Sequence, residues 1–139
     1  ILLQNSISNK RKMDKKIIST AGFFGMSAII LGAFGAHALK EILLPEQLVS
    51  FETGVKYQMY HALFLLFLGM NKHLPLKTKK TILILTVLGI IFFSGSIYLL
   101  STKAVTGIDF KAFGIITPIG GSLLIAAWAI LTFNFLKKK

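Results

Sequence analysis

Cysteine is absent from the 139 residues, which excludes disulfides, thiolate catalysis and cysteine-bound zinc or iron–sulfur centres. Acidic residues are scarce, with five against sixteen basic residues, and only 15% of the chain is charged, whereas soluble domains carry about a quarter. Hydrophobic residues make up 54% of the chain, more than a water-soluble chain of this length can bury. The composition therefore excludes a soluble enzyme and a disordered chain, and it predicts a small integral membrane protein.

Uncharged runs identify the membrane spans, each of which needs roughly 20 mostly apolar residues. Three runs meet this length, at residues 17–39, 81–102 and 112–136. A fourth uncharged run, 57–70, has only 14 residues. Extending it to 53–70 takes in Lys56, whose ammonium can reach the headgroup region. The runs alone leave three or four spans open.

The distribution of basic residues decides between three and four spans. With four spans and a cytoplasmic N-terminus, twelve of the sixteen basic residues lie on the cytoplasmic side and four of the five acids lie outside. With three spans, the split becomes seven inside against nine outside. Because only the four-span arrangement obeys the positive-inside rule, the sequence predicts an all-α polytopic membrane protein. This is a four-transmembrane-helix bundle with both termini cytoplasmic, and its second helix starts near Pro45.

The domain organisation follows from the position of the first apolar run. Met13 precedes a short charged stretch and then this run, as at a natural start, so we expect residues 1–12 to form a disordered basic N-terminal extension. Residues 13–139 then form a single four-span membrane domain. A cleaved signal peptide is not expected, because the run is longer than an h-region. The net charge of +11 comes from basic residues that lie at the ends of the spans. Their position predicts contact with anionic lipids at the cytoplasmic face and no nucleic-acid partner.

Small residues at four-residue spacing predict where helices pack, since lipid supplies no hydrophobic drive for their association. The predicted helix-packing residues are Ala28, Gly32 and Ala36 on the first span and Gly114, Pro118, Ser122 and Ala126 on the fourth. An alternative is that residues 94–96 and 117–121 break their helices locally, as in the ion and substrate sites of transporters.

Polar side chains inside the spans are costly and mark a candidate site. They lie in the outer half of the predicted spans: His37, Gln58, His61, Ser94, Ser96, Tyr98 and Thr117. One interpretation is a hydrogen-bonded plug that fixes helix register, and the other is an outward-opening site for a proton, ion or small ligand. Haem is disfavoured, because the two histidines differ in depth by about six residues, or about 9 Å. No cofactor, metal or catalytic residue is expected.

Two known kinds of small four-span protein do not fit. A proton-coupled multidrug exporter needs a carboxylate within the membrane, and no acid lies within the uncharged runs. A dual-topology channel needs nearly balanced loop charges, and twelve basic residues against four are not balanced.

Four segments in order resemble a known family. They are residues 31–39 (LGAFGAHAL), 51–63 (FETGVKYQMYHAL), 93–99 (FSGSIYL) and 116–121 (ITPIGG). The chain after residue 12 is similar to the YgdD/YwdK-like family of small bacterial inner-membrane proteins (domain of unknown function 423), which is related to animal transmembrane protein 256. The resemblance implies a four-span protein of the bacterial inner membrane with no settled activity, and it supplies no catalytic residues. It adds Tyr57 and Pro118 to the polar set.

The functional expectation is a non-enzymatic integral membrane protein with a structural, accessory or membrane-modulating role. The alternative is a small transporter or channel with an outward-facing polar site. A membrane-protein partner or a second copy of the chain is left open.

Overall fold

The structure is a computed structural model that describes residues 1–137, so Lys138 and Lys139 of the predicted domain lie outside the described residues. Regular structure within this range is helical throughout, as the sequence predicts. The helices are α1 (Leu2–His37), α2 (Pro45–Met70), α3 (Leu76–Ile90), α4 (Ser96–Ser101), α5 (Lys103–Thr106) and α6 (Ile116–Lys137), with 3-10 turns at Leu39–Glu41 and Lys111–Ile115 and a π turn at Ile91–Gly95.

Three helical segments of the described chain are long and apolar enough to cross a membrane: Leu2–Glu41, Leu76–Ser101 and Lys111–Lys137. The second of these is a rod in which the π turn joins α3 to α4 without a break. Helix α2 is not among the three, since its first half carries charged and polar residues. Helix α2 begins at Pro45, where the sequence predicts its start, and the Gln47 side chain accepts a hydrogen bond from the Leu44 amide at 3.0 Å.

The first twelve residues differ from the expectation of a disordered extension, because α1 already begins at Leu2. No glycine or proline precedes Gly22. Helix nucleation is the costly step and propagation adds one hydrogen bond per residue, so a helix formed by the apolar run extends back through this segment. Its side chains are exposed as far as Lys12.

Helix α2 occupies the centre of the fold. It packs antiparallel along α1 on one side and along the α3–α4 rod on the other, while α6 packs against α3 and the π turn. The end of the molecule that carries residues 1–16 and 71–80 is called the basic end below. The largest buried cluster lies toward this end and includes Ile17, Leu65, Leu68 and Ile82, each fully buried.

Close helix packing uses small residues, though not all of those predicted. Ala28 is fully buried, and a Cβ on Gly32 would lie 3.3 Å from Val55 on α2. Ala36 is exposed, and the neighbouring Gly35 is the buried residue, packed against Phe51.

The packing face of α6 also differs from the prediction. Gly114, Pro118 and Ser122 are exposed and Ala126 is half-buried, whereas the buried residues of α6 are Gly120, Leu124 and Ala127. The predicted row and the observed face lie on different sides of the helix, because successive residues turn by about 100°. Gly120 was adjacent to the predicted row, and its contact with the π turn determines which side faces inward.

Candidate functional site

One face of α2 carries the polar groups that meet the other helices. Gly54, Gln58 and His61 recur at spacings of four and three residues, so they lie on the same side of the helix. All three are buried, with Gln58 and His61 only 4% and 5% exposed. Because polar side chains in such a setting need partners, the hydrogen bonds of these residues define the site.

Gln58 connects three helices. Its Nε2 donates to the Phe24 carbonyl at 3.0 Å and to Ser27 Oγ at 2.7 Å, both on α1. Its Oε1 accepts from the Tyr98 hydroxyl of α4 at 2.7 Å. One amide thus holds α1, α2 and α4 at a fixed relative height and rotation.

Two serines near the π turn extend the contacts. Ser94, which is 1% exposed, donates to the Gly54 carbonyl at 2.7 Å and links the turn to α2. Ser96 shares a hydrogen bond of 2.5 Å with Thr117 and links α4 to α6. Because a π turn inserts an extra residue into a helix, it changes the direction of these side chains relative to the preceding turns. The helix continues through residues 94–96 and 117–121 and is not broken there.

His61 joins α2 to α6. The indole N–H of Trp128 donates to His61 Nε2 at 3.1 Å, so Nε2 is the acceptor and the ring proton lies on Nδ1. Nδ1 then donates to the Tyr57 carbonyl at 2.7 Å. Both ring nitrogens are therefore engaged, and the imidazole also packs edge-on against the Trp128 ring with centroids 6.2 Å apart.

Most of the residues predicted to form the polar site are brought together by the structure. Gln58, His61, Ser94, Ser96, Tyr98 and Thr117 all take part in the hydrogen bonds described above. Tyr57 contributes its backbone carbonyl and packs its ring 5.0 Å from Phe93, while its side chain is 41% exposed.

The structure does not bring His37 to the other polar residues. It is exposed at the last position of α1, ten residues beyond Ser27, which is about 15 Å along the helix. The earlier grouping relied on depth estimated from the predicted span ends, and His37 lies at the very end of its helix.

Three residues that contribute to the polar site were not predicted from the sequence. Ser27 lies between apolar residues of the first run, and a serine in such a helix often bonds to its own backbone. Trp128 is the sole tryptophan, and its N–H requires an acceptor when it is partly buried. Gly54 contributes only a carbonyl and space, since a Cβ there would lie 2.8 Å from the Tyr98 ring.

A second polar contact, which the sequence analysis did not anticipate, lies at the basic end. The Lys79 ammonium, on a side chain only 6% exposed, pairs with Asp14 at 2.7 Å and also bonds to the Asn71 carbonyl. The more exposed Lys72 pairs with the same carboxylate at 3.2 Å. The contact joins α1, the end of α2 and α3. Asp14 was detectable as the one acid among the basic residues of this end.

Fully buried side-chain polar atoms are almost all satisfied in the part of the chain that the structure describes. Thr86 Oγ1 is the one without a hydrogen-bond partner there. Residues 1–137 also contain no group of three or more histidine, cysteine or acidic side chains that could hold a metal ion. The site is thus a set of interhelical hydrogen bonds.

Long apolar helices and interhelical hydrogen bonds define an all-helical integral membrane protein. Residues 31–121 match the model of a family described as "Protein of unknown function (DUF423)". The chain belongs to this family, as the sequence resemblance predicted.

Similar curated proteins are membrane proteins. A UPF0382 membrane protein of Haemophilus influenzae is 33% identical over 127 residues, covering 91% of this chain and 98% of the relative. One from Staphylococcus haemolyticus is 41% identical over 113 residues, covering 79% and 88%. The UPF0382 inner membrane protein YgdD of Escherichia coli is 30% identical over 121 residues, covering 86% and 88%. No solved structure matches the chain.

Proposed function

We propose that this protein is a non-enzymatic, four-span protein of the bacterial inner membrane with a structural or accessory role. Both termini are cytoplasmic in this proposal, and the basic end faces the cytoplasm and its anionic lipids. The observation that carries the proposal is that the polar side chains on α2 bond to the other helices. A solute pathway would instead leave such groups open to water.

Helix α2 is the fourth span of this proposal. Its 26 residues extend about 39 Å, longer than the roughly 30 Å hydrocarbon core. Its exposed side chains nearest the basic end are apolar, as lipid contact requires: Leu63, Leu66, Phe67 and Met70. Its polar face is turned toward α1, α4 and α6, where Gln58 and His61 are bonded.

The topology can be tested with single cysteines, since the natural chain has none. We expect Ile42→Cys and Val105→Cys to react with a membrane-impermeant maleimide in spheroplasts. Lys77→Cys should react only after the membrane is permeabilised. All three positions are exposed, so a lack of reaction reports sidedness. Equal labelling at positions 42 and 77 in intact spheroplasts would mean that α2 does not cross.

The structural role predicts an absence of transport. Proteoliposomes that contain the wild-type protein should pass protons, Na⁺, K⁺ and small solutes no faster than empty liposomes. Gln58→Ala and His61→Ala should lower stability without altering this result. Ser122→Ala is the matched control, because its hydroxyl bonds within its own helix to the Pro118 carbonyl at 2.8 Å. A flux that Gln58→Ala and His61→Ala abolish while the control retains it would contradict the proposal.

The second candidate is a small transporter or channel, and one feature favours it. A cleft of about 290 Å³ opens at the end opposite the basic end, between α2, α4 and α6, and reaches Thr117. Its lining includes Glu46, Ser50 and Ser101, which could contact a hydrated cation. Cation flux that falls in Glu46→Gln would support this candidate over the structural one.

A further inference from the structure

A single stripe of α1 changes character from basic to apolar along its length. Residues 11, 15, 18, 22, 25 and 29 recur every three or four positions and so share one face of the helix. Lys10 and Asp14 flank the stripe, and Ile18 marks the change from charged to apolar side chains. Two adjoining cavities follow the stripe, one on each side of Ile18.

The first cavity is a basic cleft of about 420 Å³ between α1 and the segment that joins α2 to α3. Five of its lining residues are cationic and one is acidic, so the formal charge around it is strongly positive. Asp14 is engaged by Lys79 and Lys72, which leaves Lys10, Arg11 and Lys15 on the same wall. The cleft thus offers several cations and no free carboxylate to an incoming group.

The second cavity is an apolar groove of about 320 Å³ between α1 and α2. Gly22 lines this groove, and a Cβ at this position would meet no atom within 4 Å. At Gly25 the nearest atom to such a Cβ would be the Ala62 methyl carbon, at 3.8 Å. The two glycines therefore leave room beside α1 for a chain of methylene groups. Ile18 lines both cavities, so the groove begins where the cleft ends.

We infer that the cleft and the groove together form a binding site for one anionic phospholipid. The phosphate lies among Lys10, Arg11 and Lys15, and an acyl chain runs along the groove past Gly22. The inference rests on the proposed arrangement in which α1 and α2 cross the bilayer, because the groove then lies at acyl-chain depth. Basic pockets beside cytoplasmic helix ends bind such headgroups.

The charges and the groove select this ligand over two others. A zwitterionic lipid brings an ammonium group, and the only carboxylate of the cleft is already paired with Lys79 and Lys72. Free phosphate would satisfy the cations but would leave the groove unfilled. Lipid supplies no hydrophobic drive for this contact, so the acyl chain adds to the binding of the headgroup through its packing contacts with the walls of the groove.

Delipidated protein in dodecyl maltoside provides the test, with thermal unfolding and native mass spectrometry as readouts. We expect phosphatidylglycerol in mixed micelles to raise the unfolding temperature and to remain bound as one molecule per chain. Phosphatidylcholine and inorganic phosphate at equal concentration should do neither. Arg11→Gln and Lys15→Gln should each weaken phosphatidylglycerol binding about fivefold, as expected for roughly one charge contact.

Gly22→Leu tests the groove separately, because the new side chain fills it without meeting another atom at Cβ. It should weaken phosphatidylglycerol binding while leaving the unfolding temperature of lipid-free protein unchanged or higher. The matched controls are Gly114→Leu, which also meets open space, and Lys111→Gln, since both lie outside the two cavities. Both controls should bind as the wild type does.

Three results would overturn the inference. They are equal stabilisation by phosphatidylcholine, equal stabilisation by inorganic phosphate, and loss of binding in the controls as large as in Arg11→Gln or Gly22→Leu. Failure of the proposed function can be distinguished from failure of this inference, because the cysteine labelling reports topology independently of lipid binding. If the labelling supports four spans and the lipid selectivity is absent, only this inference falls.

Discussion

Two adjacent glycines of α6 give a sharp test of how the helices pack. Gly120 lies against the backbone of the π turn. A Cβ at this position would be 2.6 Å from the carbonyl carbon of Phe92 and closer still to the amide nitrogen of Phe93. Gly121 is one position further, and its Cβ would meet the Phe93 ring at an ordinary 3.5 Å. Gly120→Ala and Gly121→Ala therefore make the same chemical change with opposite consequences.

The expected magnitudes follow from two opposing terms. Replacing a mid-helix glycine by alanine stabilises a helix by about 1 kcal/mol, and this gain applies to both variants. Overpacking a close contact costs about 1–3 kcal/mol, and the contact at Gly120 is with backbone, which cannot move aside as a side-chain tip can. We therefore expect Gly121→Ala to be stabilised by about 0.5–1 kcal/mol, and Gly120→Ala to be destabilised by up to about 2 kcal/mol.

The measurement is the free energy of unfolding in mixed micelles as the fraction of sodium dodecyl sulfate is increased. Gly114→Ala serves as a further control, since its Cβ would meet no atom within 4 Å. The reasoning would be refuted if Gly120→Ala were as stable as Gly121→Ala. Such a result would mean that α6 does not pack through Gly120.

Further predictions concern the polar contacts, with the same unfolding assay. Tyr98→Phe removes the donor to Gln58 Oε1 and should cost about 0.6–1.7 kcal/mol, the range for interhelical hydrogen bonds in membranes; no loss would argue against that bond. Asp14→Asn leaves the buried Lys79 ammonium without its counter-charge and should cost about 3 kcal/mol, whereas an unchanged stability would place this ammonium in water. Thr86→Val removes the unsatisfied hydroxyl and should stabilise by about 1 kcal/mol; destabilisation would indicate an unseen partner.

The helical fold was predictable because few backbone structures are stable in lipid. An uncharged run of bilayer length has no water to satisfy its amides, so it must form a helix. The start of α2 was also predictable, because Pro45 suits the first helical turn. The order at residues 1–12 was not predicted, since the exposed side chains of this basic polar segment bury no apolar surface that would favour helix over coil. It depends on propagation from the adjacent span.

The members of the polar site were largely predictable, but their partners were not. Polarity within an apolar run identifies Gln58 and His61, since a buried polar group must be bonded. Their partners depend on how each helix is rotated about its axis, which depth along the span does not determine. Ser27 and Trp128 were missed for this reason. Each contributes a single hydrogen-bonding atom, and whether that atom joins the site depends on its partner, Gln58 or His61, on α2. His37 shows the converse, since depth alone placed it with residues about 15 Å away.

The long helix that is not among the three apolar, membrane-length segments is also the central one, and both facts have one physical cause. Helix α2 is not among the segments apolar enough to cross a membrane, because it carries charged residues in its first half and also Gln58 and His61, which are costly in lipid. Packed between α1 and the α3–α4 rod, it can hold these groups as hydrogen-bond partners of α1, α4 and the Trp128 side chain of α6. Moving either side chain to the lipid-facing side of α1 would leave it unsatisfied. The segment that hydropathy identifies least well is therefore the one that fixes the register of the others.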